Sequence, residues 1–313
     1  MTYAIEITNL VKQYVAKNNE IKYAIHDLTL NIPKGSFFAL LGPNGAGKST
    51  LINILSGLAG KTSGRIKIFG DDISKGNQYK HKIGTCIQDI VLDPLSTTLE
   101  YLTNTAGYYG ISPKRAQNKI DEVIEYLDLK DFLNKRTRVL SGGMKRRLII
   151  AKALIHDPEI IILDEPTAGV DVELRLSIWR YIQKLNKDGK TILLTTHYLE
   201  EAQELSNDIA FINQGKILLQ DTKTNVMQNI ISTKSAIISV QTSQTALALR
   251  SDNFAHTNID DKTLKIIYDP QKTNVAHIIQ ELATNNYIVT DISMPENKLE
   301  DIFIHIMKTN KQG

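Results

Sequence analysis

The sequence predicts an α/β fold for most of the chain, followed by a smaller α+β module, and three observations predict it. A glycine-rich loop, Gly42 to Thr50, lies between an apolar run (Phe37 to Leu41) and an amphipathic one (Leu51 to Leu58), which is the strand, loop and helix order of a phosphate-binding turn. A second apolar run, Ile160 to Leu163, ends in two carboxylates, Asp164 and Glu165; continuous runs of this kind belong to parallel strands covered on both faces. Beyond Asp221 glycine becomes scarce and no chemical motif follows.

Taken in order, Ala4 to Leu10 and Leu28 to Ile32 alternate apolar and polar, so the amino end reads as a strand-rich layer. Tyr14 falls in the loop after the first strand, where its ring could stack on an adenine or pack as an ordinary tyrosine. Gly42, Gly45 and Gly47 let the next loop turn its N–H groups into a concavity, and the helix behind adds the positive end of its dipole. Lys48 would then reach the β- and γ-phosphates and the Ser49 hydroxyl would ligate Mg²⁺.

Gly64 to Gly70 and Ile83 to Gln88 read as short strands. Gln88 ends the second; its amide could ligate a metal or water, and on spacing alone a surface glutamine is the commoner case. From Leu99 to Leu133 the pattern is helical, with Ile120, Val123, Ile124 and Leu127 on one face and Pro113 at a helix start. Ser141 is a natural N-cap for the helix through Ile155, and Gly142 and Gly143 leave its first-turn N–H groups unobstructed, which as structure is a flexible helix start and as chemistry a second phosphate-binding surface. Lys145, Arg146 and Arg147 read as a solvated helix face.

Asp164 and Glu165 end a central strand, where α/β sheets place ligands, and their desolvation calls for a partner such as Mg²⁺. Asp164 would hold the metal and Glu165 would orient and deprotonate an attacking water. Asp171 caps a helix from Val172 to Leu185, and Thr191 to Thr196 is a further buried strand that delivers His197 to the same edge, for contact with a γ-phosphate. Asp208 to Asn213 and Lys216 to Gln220 form a hairpin around Gln214-Gly215. In the last ninety or so residues, strands at Ala236 to Gln241, Thr263 to Tyr268 and Tyr287 to Ile292 combine with helices at Val275 to Ala283 and Leu299 to Met307.

The totals narrow the class. With 313 residues the chain has room for about two domains, and 37 basic against 34 acidic residues leave a net charge of +3, which does not call for nucleic acid. Its one cysteine, Cys86, excludes a disulfide framework and fits a reducing cytosol. The amino end lacks a signal-peptide pattern and no apolar stretch is long enough for a membrane span, so any span is expected from another chain.

GPNGAGKST at Gly42, Gln88, LSGGM at Leu140, IIILDEP at Ile160, Ala-Gly-Val-Asp at Ala168 and TTH at Thr195 stand in the order of an ATP-binding-cassette (ABC) ATPase. This arrangement resembles that family from Thr2 to about Asp221, and the KRR after the signature, the helical insertion and the carboxyl-terminal module resemble the ATPase subunits of ABC-2-type drug exporters. The resemblance implies a P-loop NTPase of the ABC type over 1–221, with a mixed sheet core, an antiparallel β layer and a helical insertion at about 90–156, and an accessory α+β domain over 222–313.

It also implies ATP and Mg²⁺ as ligands. ATP would contact Tyr14, the loop residues Gly42, Pro43, Asn44, Gly45, Ala46, Gly47, Lys48, Ser49 and Thr50, then Gln88, Ser141, Gly142 and Gly143. The metal would be held by Ser49, Gln88 and Asp164, and catalysis would fall to Glu165, His197 and Lys48. Each ATP would lie between the loop of one subunit and the Ser141 helix of the other in a head-to-tail homodimer, peripheral on the cytoplasmic face of the membrane and bound to a separate permease near Gln88 and the helical insertion. The competing expectation, a soluble ABC ATPase acting on ribosomes or DNA, fits less well with one cassette and a near-neutral chain. Met144 stands where glutamine is frequent, and Asp89 where glutamate often follows Gln88.

Overall fold

The computed structural model describes residues 2–15, 20–229, 234–241, 251–295 and 298–309. Two compact units emerge, Met1–Lys223 and Thr224–Gly313. In chain order the first runs β1 (Tyr3–Val15), β2 (Ile21–Pro33), β3 (Phe37–Leu41), α1 (Lys48–Leu55), β4 (Ser63–Ile68), β5 (Asp71–Asp72), β6 (Ile83–Cys86), α2 (Thr98–Tyr108), α3 (Pro113–Tyr126), α4 (Gly142–Leu154), β7 (Ile160–Asp164), α5 (Val172–Lys187), β8 (Thr191–Thr195), α6 (Leu199–Leu205), β9 (Asp208–Asn213) and β10 (Lys216–Thr222).

A six-stranded sheet in the order β10-β9-β3-β8-β7-β6 forms the middle of this unit, parallel except for the β9–β10 hairpin. Every residue of β3, β7 and β8 is buried, which is why these strands are apolar throughout rather than alternating. Their side chains still separate with period two. Phe37, Ile161, Leu163, Ile192 and Leu194 pack with α2 to α5 on one face, while Phe38, Leu40, Ile160, Ile162 and Leu193 pack with α1 and a second sheet on the other. Each such side chain contributes about 1.5 to 3 kcal/mol by burial. The second sheet is antiparallel, in the order β2-β1-β4-β5.

The strand-rich amino end is longer than its alternation suggests. β1 continues to Val15, paired with Ile21, so Tyr14 lies within a strand opposite Lys22 and not in a loop. Pairing satisfies the backbone of this two-stranded arm although its side chains are mostly exposed. The helical stretch divides into α2, opened by a capping box between Thr97 and Glu100, and α3, which starts on Pro113. Gly110, at φ 69°, sits between them in a backbone conformation that favours glycine.

The short helix α7 (Lys223–Asn229) follows β10. The second unit contains β11 (Lys234–Gln241), β12 (Phe254–Asp260), β13 (Thr263–Tyr268), α8 (Val275–Thr284), β14 (Ile288–Ser293) and α9 (Leu299–Thr309). Its antiparallel sheet has the order β12-β13-β11-β14, and Ala236, Ile238, Val240, Leu264 and Ile266 share a core with Ile278 and Leu282 of α8. Among the described residues no helix is long and apolar enough to cross a membrane.

Candidate functional site

Parallel β3, β8, β7 and β6 bring their carboxyl ends to one edge of the sheet, and the residues that follow each strand meet there. Gly42 leaves β3 so close to β9 that a Cβ on it would stand 2.3 Å from the Ile212 carbonyl oxygen. Gly47, at φ 111°, caps α1 and would put a Cβ 2.7 Å from the Ala24 carbonyl oxygen. Only glycine fits either place. The hairpin turn braces the loop from behind, with Gly215 N–H donating to the Ala46 carbonyl at 2.8 Å.

Lys48 is buried, and its ammonium donates to the carbonyls of Gly42 at 2.6 Å and Pro43 at 3.1 Å. Burial lowers its pKa, against the raising effect of Glu165 and Asp164. Asp164, also buried, accepts a short bond from the Thr195 hydroxyl and is hydrogen-bonded to the Ser49 side chain; desolvation raises its pKa despite both bonds. Lys48, Ser49 and Asp164 thus form one electrostatic group at the loop's edge.

Glu165 turns away from β7 with φ 49° and donates its N–H to the Thr195 carbonyl at 2.9 Å. Its carboxylate lies 3.1 Å from His197 Nδ1 and accepts from Gln88 Nε2 at 3.5 Å. Asn44 to Thr50, together with Ala24, Gln88, Glu165 and His197, line one open cleft of about 450 Å³. Gln88, Glu165 and His197 come from three different strand ends, and each was a sequence candidate.

Tyr14, Gly42, Pro43, Ser141, Gly142, Gly143 and Asp164 do not line this cleft, although Asp164 is hydrogen-bonded to Ser49, which does. Tyr14 is half exposed, with Lys12 Nζ 4.6 Å from its ring centroid. Ser141 caps α4 as expected, its hydroxyl accepting from Met144 N–H at 3.3 Å. Asp171 caps α5 in the same way, accepting from Leu174 N–H at 2.9 Å.

The expectation that Lys145, Arg146 and Arg147 form a solvated face is wrong. Arg146 is only 4% exposed and donates to the carbonyls of Ile87, Gln88, Asp164, Glu165 and Pro166. Arg147 donates to the Leu127 and Asp128 carbonyls and pairs with the Asp128 carboxylate at 3.0 Å. A signal was present: Arg146 shares helical spacing with Ile149, Ile150 and Ala153, all buried. The guanidinium enters the core because backbone carbonyls meet its N–H groups there.

Sequence reasoning also passed over Glu201. This buried carboxylate accepts from Thr167 Oγ1 at 3.0 Å and Trp179 Nε1 at 2.9 Å, tying α6, which follows His197, to the turn after Glu165 and to α5.

Residues 25–168 match the ABC transporter family. The chain is 32% identical over 308 residues to the linearmycin resistance ATP-binding protein LnrL of Bacillus subtilis, an alignment covering 96% of this chain and 97% of that one. It is 34% identical over 272 residues to the Nod factor export ATP-binding protein I of Burkholderia orbicola, covering 85% and 87% of the two chains. Among solved structures, the dimeric bacterial ABC transporter cassette MJ0796 aligns with a TM-score of 0.65 and 30% identity, over 70% of this chain and 98% of that one. The same cassette, dimeric and bound to ADP and Pi in a post-hydrolysis state, aligns equally well.

Proposed function

This chain belongs to the ABC transporter ATPase family, and from that premise we propose that it is the ATP-hydrolysing subunit of an ABC-2-type exporter working with a separate membrane permease. The relatives named for linearmycin resistance and Nod factor export support this reading. The observation that carries the site assignment is the single cleft in which the loop Asn44 to Thr50 faces Gln88, Glu165 and His197.

In the proposed reaction the loop N–H groups and Lys48 hold the β- and γ-phosphates of ATP. Glu165 accepts a proton from the water whose oxygen attacks the γ-phosphorus, and the bond to the leaving ADP oxygen breaks to give ADP and inorganic phosphate. His197, 3.1 Å from Glu165, contacts the γ-phosphate and orients the water. The Ser49 hydroxyl, the Gln88 amide oxygen and the Asp164 carboxylate are hard oxygen donors, and Ser49 is already hydrogen-bonded to Asp164, so these residues suit Mg²⁺. When bound, Mg²⁺ neutralises charge that develops between the β- and γ-phosphates.

The dimeric form of the similar cassette MJ0796 supports the use of Ser141, Gly142 and Gly143, at the exposed start of α4, on the nucleotide of a second copy. Two positive helix ends, α1 of one subunit and α4 of the other, would then meet one γ-phosphate, each adding up to about 2 kcal/mol. Closure on ATP and release after hydrolysis form the two-state element that a permease can read. Past Gln88, Ile90, Val91 and Leu95 expose apolar side chains, a surface suited to a cytoplasmic helix of that permease. We assign the carboxyl-terminal unit a dimer-stabilising or regulatory role, because it carries no chemical motif and follows a complete cassette.

The test is phosphate release by the purified chain with Mg²⁺ and ATP, together with pull-down of its membrane partner from detergent extracts. Turnover with a polytopic protein retained supports the proposal, whereas turnover with ribosomes retained instead would overturn the exporter assignment.

A further inference from the structure

Five backbone carbonyl oxygens converge on the Arg146 guanidinium, and a guanidinium has five N–H groups. Nη1 donates to Ile87 at 2.9 Å and Gln88 at 3.3 Å, and Nε donates to Pro166 at 3.1 Å. Nη2 takes the carbonyls of Asp164 and Glu165. Two of these oxygens follow β6, two follow β7, and the fifth ends β7 itself. Brought together in a buried place, they would repel one another without a cation that has a donor for each. An ammonium has three donors and no plane, so lysine cannot replace this fork.

The pieces that Arg146 joins are those that place the attacking water. Glu165 has a left-handed backbone, which persists in a non-glycine residue only where its surroundings enforce it. The guanidinium holds the carbonyls on both sides of that kink. It also holds the Gln88 carbonyl, while the Gln88 side chain reaches the Glu165 carboxylate at 3.5 Å. Arg146 stands on α4, the helix capped by Ser141, so this one side chain links α4 to the backbone of both Glu165 and Gln88.

We propose that Arg146 is a positioning residue for hydrolysis, coupling the placement of α4 to the aim of Glu165 and Gln88. The proposal rests on the reading of Glu165 as general base. It concerns the chemical step and not nucleotide affinity, because Arg146 does not line the cleft.

The test compares the full-length wild type, Arg146→Lys, Glu165→Gln and the double variant, using thermal melting, binding of a fluorescent ATP analogue and single-turnover hydrolysis. Misplacing a reacting group by about 1 Å costs ~10²-fold in rate, so Arg146→Lys is expected to lose about that factor with nucleotide affinity unchanged. In the Glu165→Gln background it should add no further loss, since both changes act on the same proton transfer. Normal turnover in Arg146→Lys, weakened binding with unchanged turnover, or multiplicative losses in the double variant would each overturn the proposal. If Glu165→Gln turns over like wild type, the base assignment fails and the proposal with it; if only Arg146→Lys does, the proposal fails alone. Should Arg146→Lys not fold, Arg146→Gln is read in the same way, and failure of both to fold would reduce Arg146 to a structural role.

Discussion

His197 Nδ1 stands 3.1 Å from the Glu165 carboxylate although the two residues leave different strands. Parallel pairing of β7 with β8 sets Asp164 opposite Thr195, and the left-handed turn at Glu165 directs its carboxylate to the histidine that follows β8. This contact, with Gln88 on the other carboxylate oxygen, holds the Glu165 carboxylate in the cleft and supports its proposed role as general base.

Glu165→Gln keeps the side chain's size and removes its basicity. It should retain ATP binding and lose ~10² to 10⁴ in hydrolysis rate. Phosphate release measures the loss, and size-exclusion chromatography with ATP should reveal trapped dimers. Equal hydrolysis by variant and wild type would remove Glu165 from this role.

Lys48→Ala removes a buried ammonium that already bonds two loop carbonyls. Charge-assisted bonds of this type are worth about 1.5 to 3 kcal/mol each, so nucleotide binding or turnover should collapse. Titration with a fluorescent ATP analogue and phosphate release together check this outcome.

His156 offers a pH test away from the cleft. Its ring stacks on Tyr109 with centroids 3.7 Å apart and its Nε2 bonds the Ile83 carbonyl at 3.0 Å. Burial pulls its pKa from 6.5 down to about 4, partly opposed by that backbone bond. Between these values the unfolded chain binds more protons, so the contribution is complete above pH 6.5 and disappears as pH falls through the window to about 4. Its full size is ~3 kcal/mol. Urea unfolding at several pH values should show the decline in the wild type and a flatter profile in His156→Phe, which also loses about 1 kcal/mol at neutral pH with the Ile83 bond.

Cys86 lies at the end of β6 with no exposed surface, and desolvation pushes its thiol up to about 11. The native protein should therefore resist a thiol-specific chromogenic reagent at neutral pH. Unfolding in denaturant should release one equivalent, matching the single cysteine. Rapid labelling of the native chain would contradict the burial of β6.

The sequence by itself marked candidate residues for handling a nucleotide and determined which strands would be buried. Glycine spacing, a lysine and serine at a helix start, and apolar runs ending in Asp164 or His197 are local patterns with local causes: backbone freedom, helix polarity and the cost of placing apolar residues in water. Tertiary structure decided which of these groups meet. Strand order placed Gln88, Glu165 and His197 around one cleft and left Ser141 outside it. It also reversed the meaning of Arg146, whose charge marks it for solvent when read along the chain. The carbonyls that draw it inward come from segments 18 to 20 and 58 to 59 residues away. The helical spacing of Arg146 with Ile149, Ile150 and Ala153 hints at burial, but its acceptors cannot be read along the chain, because every backbone carbonyl looks alike until the fold aims it.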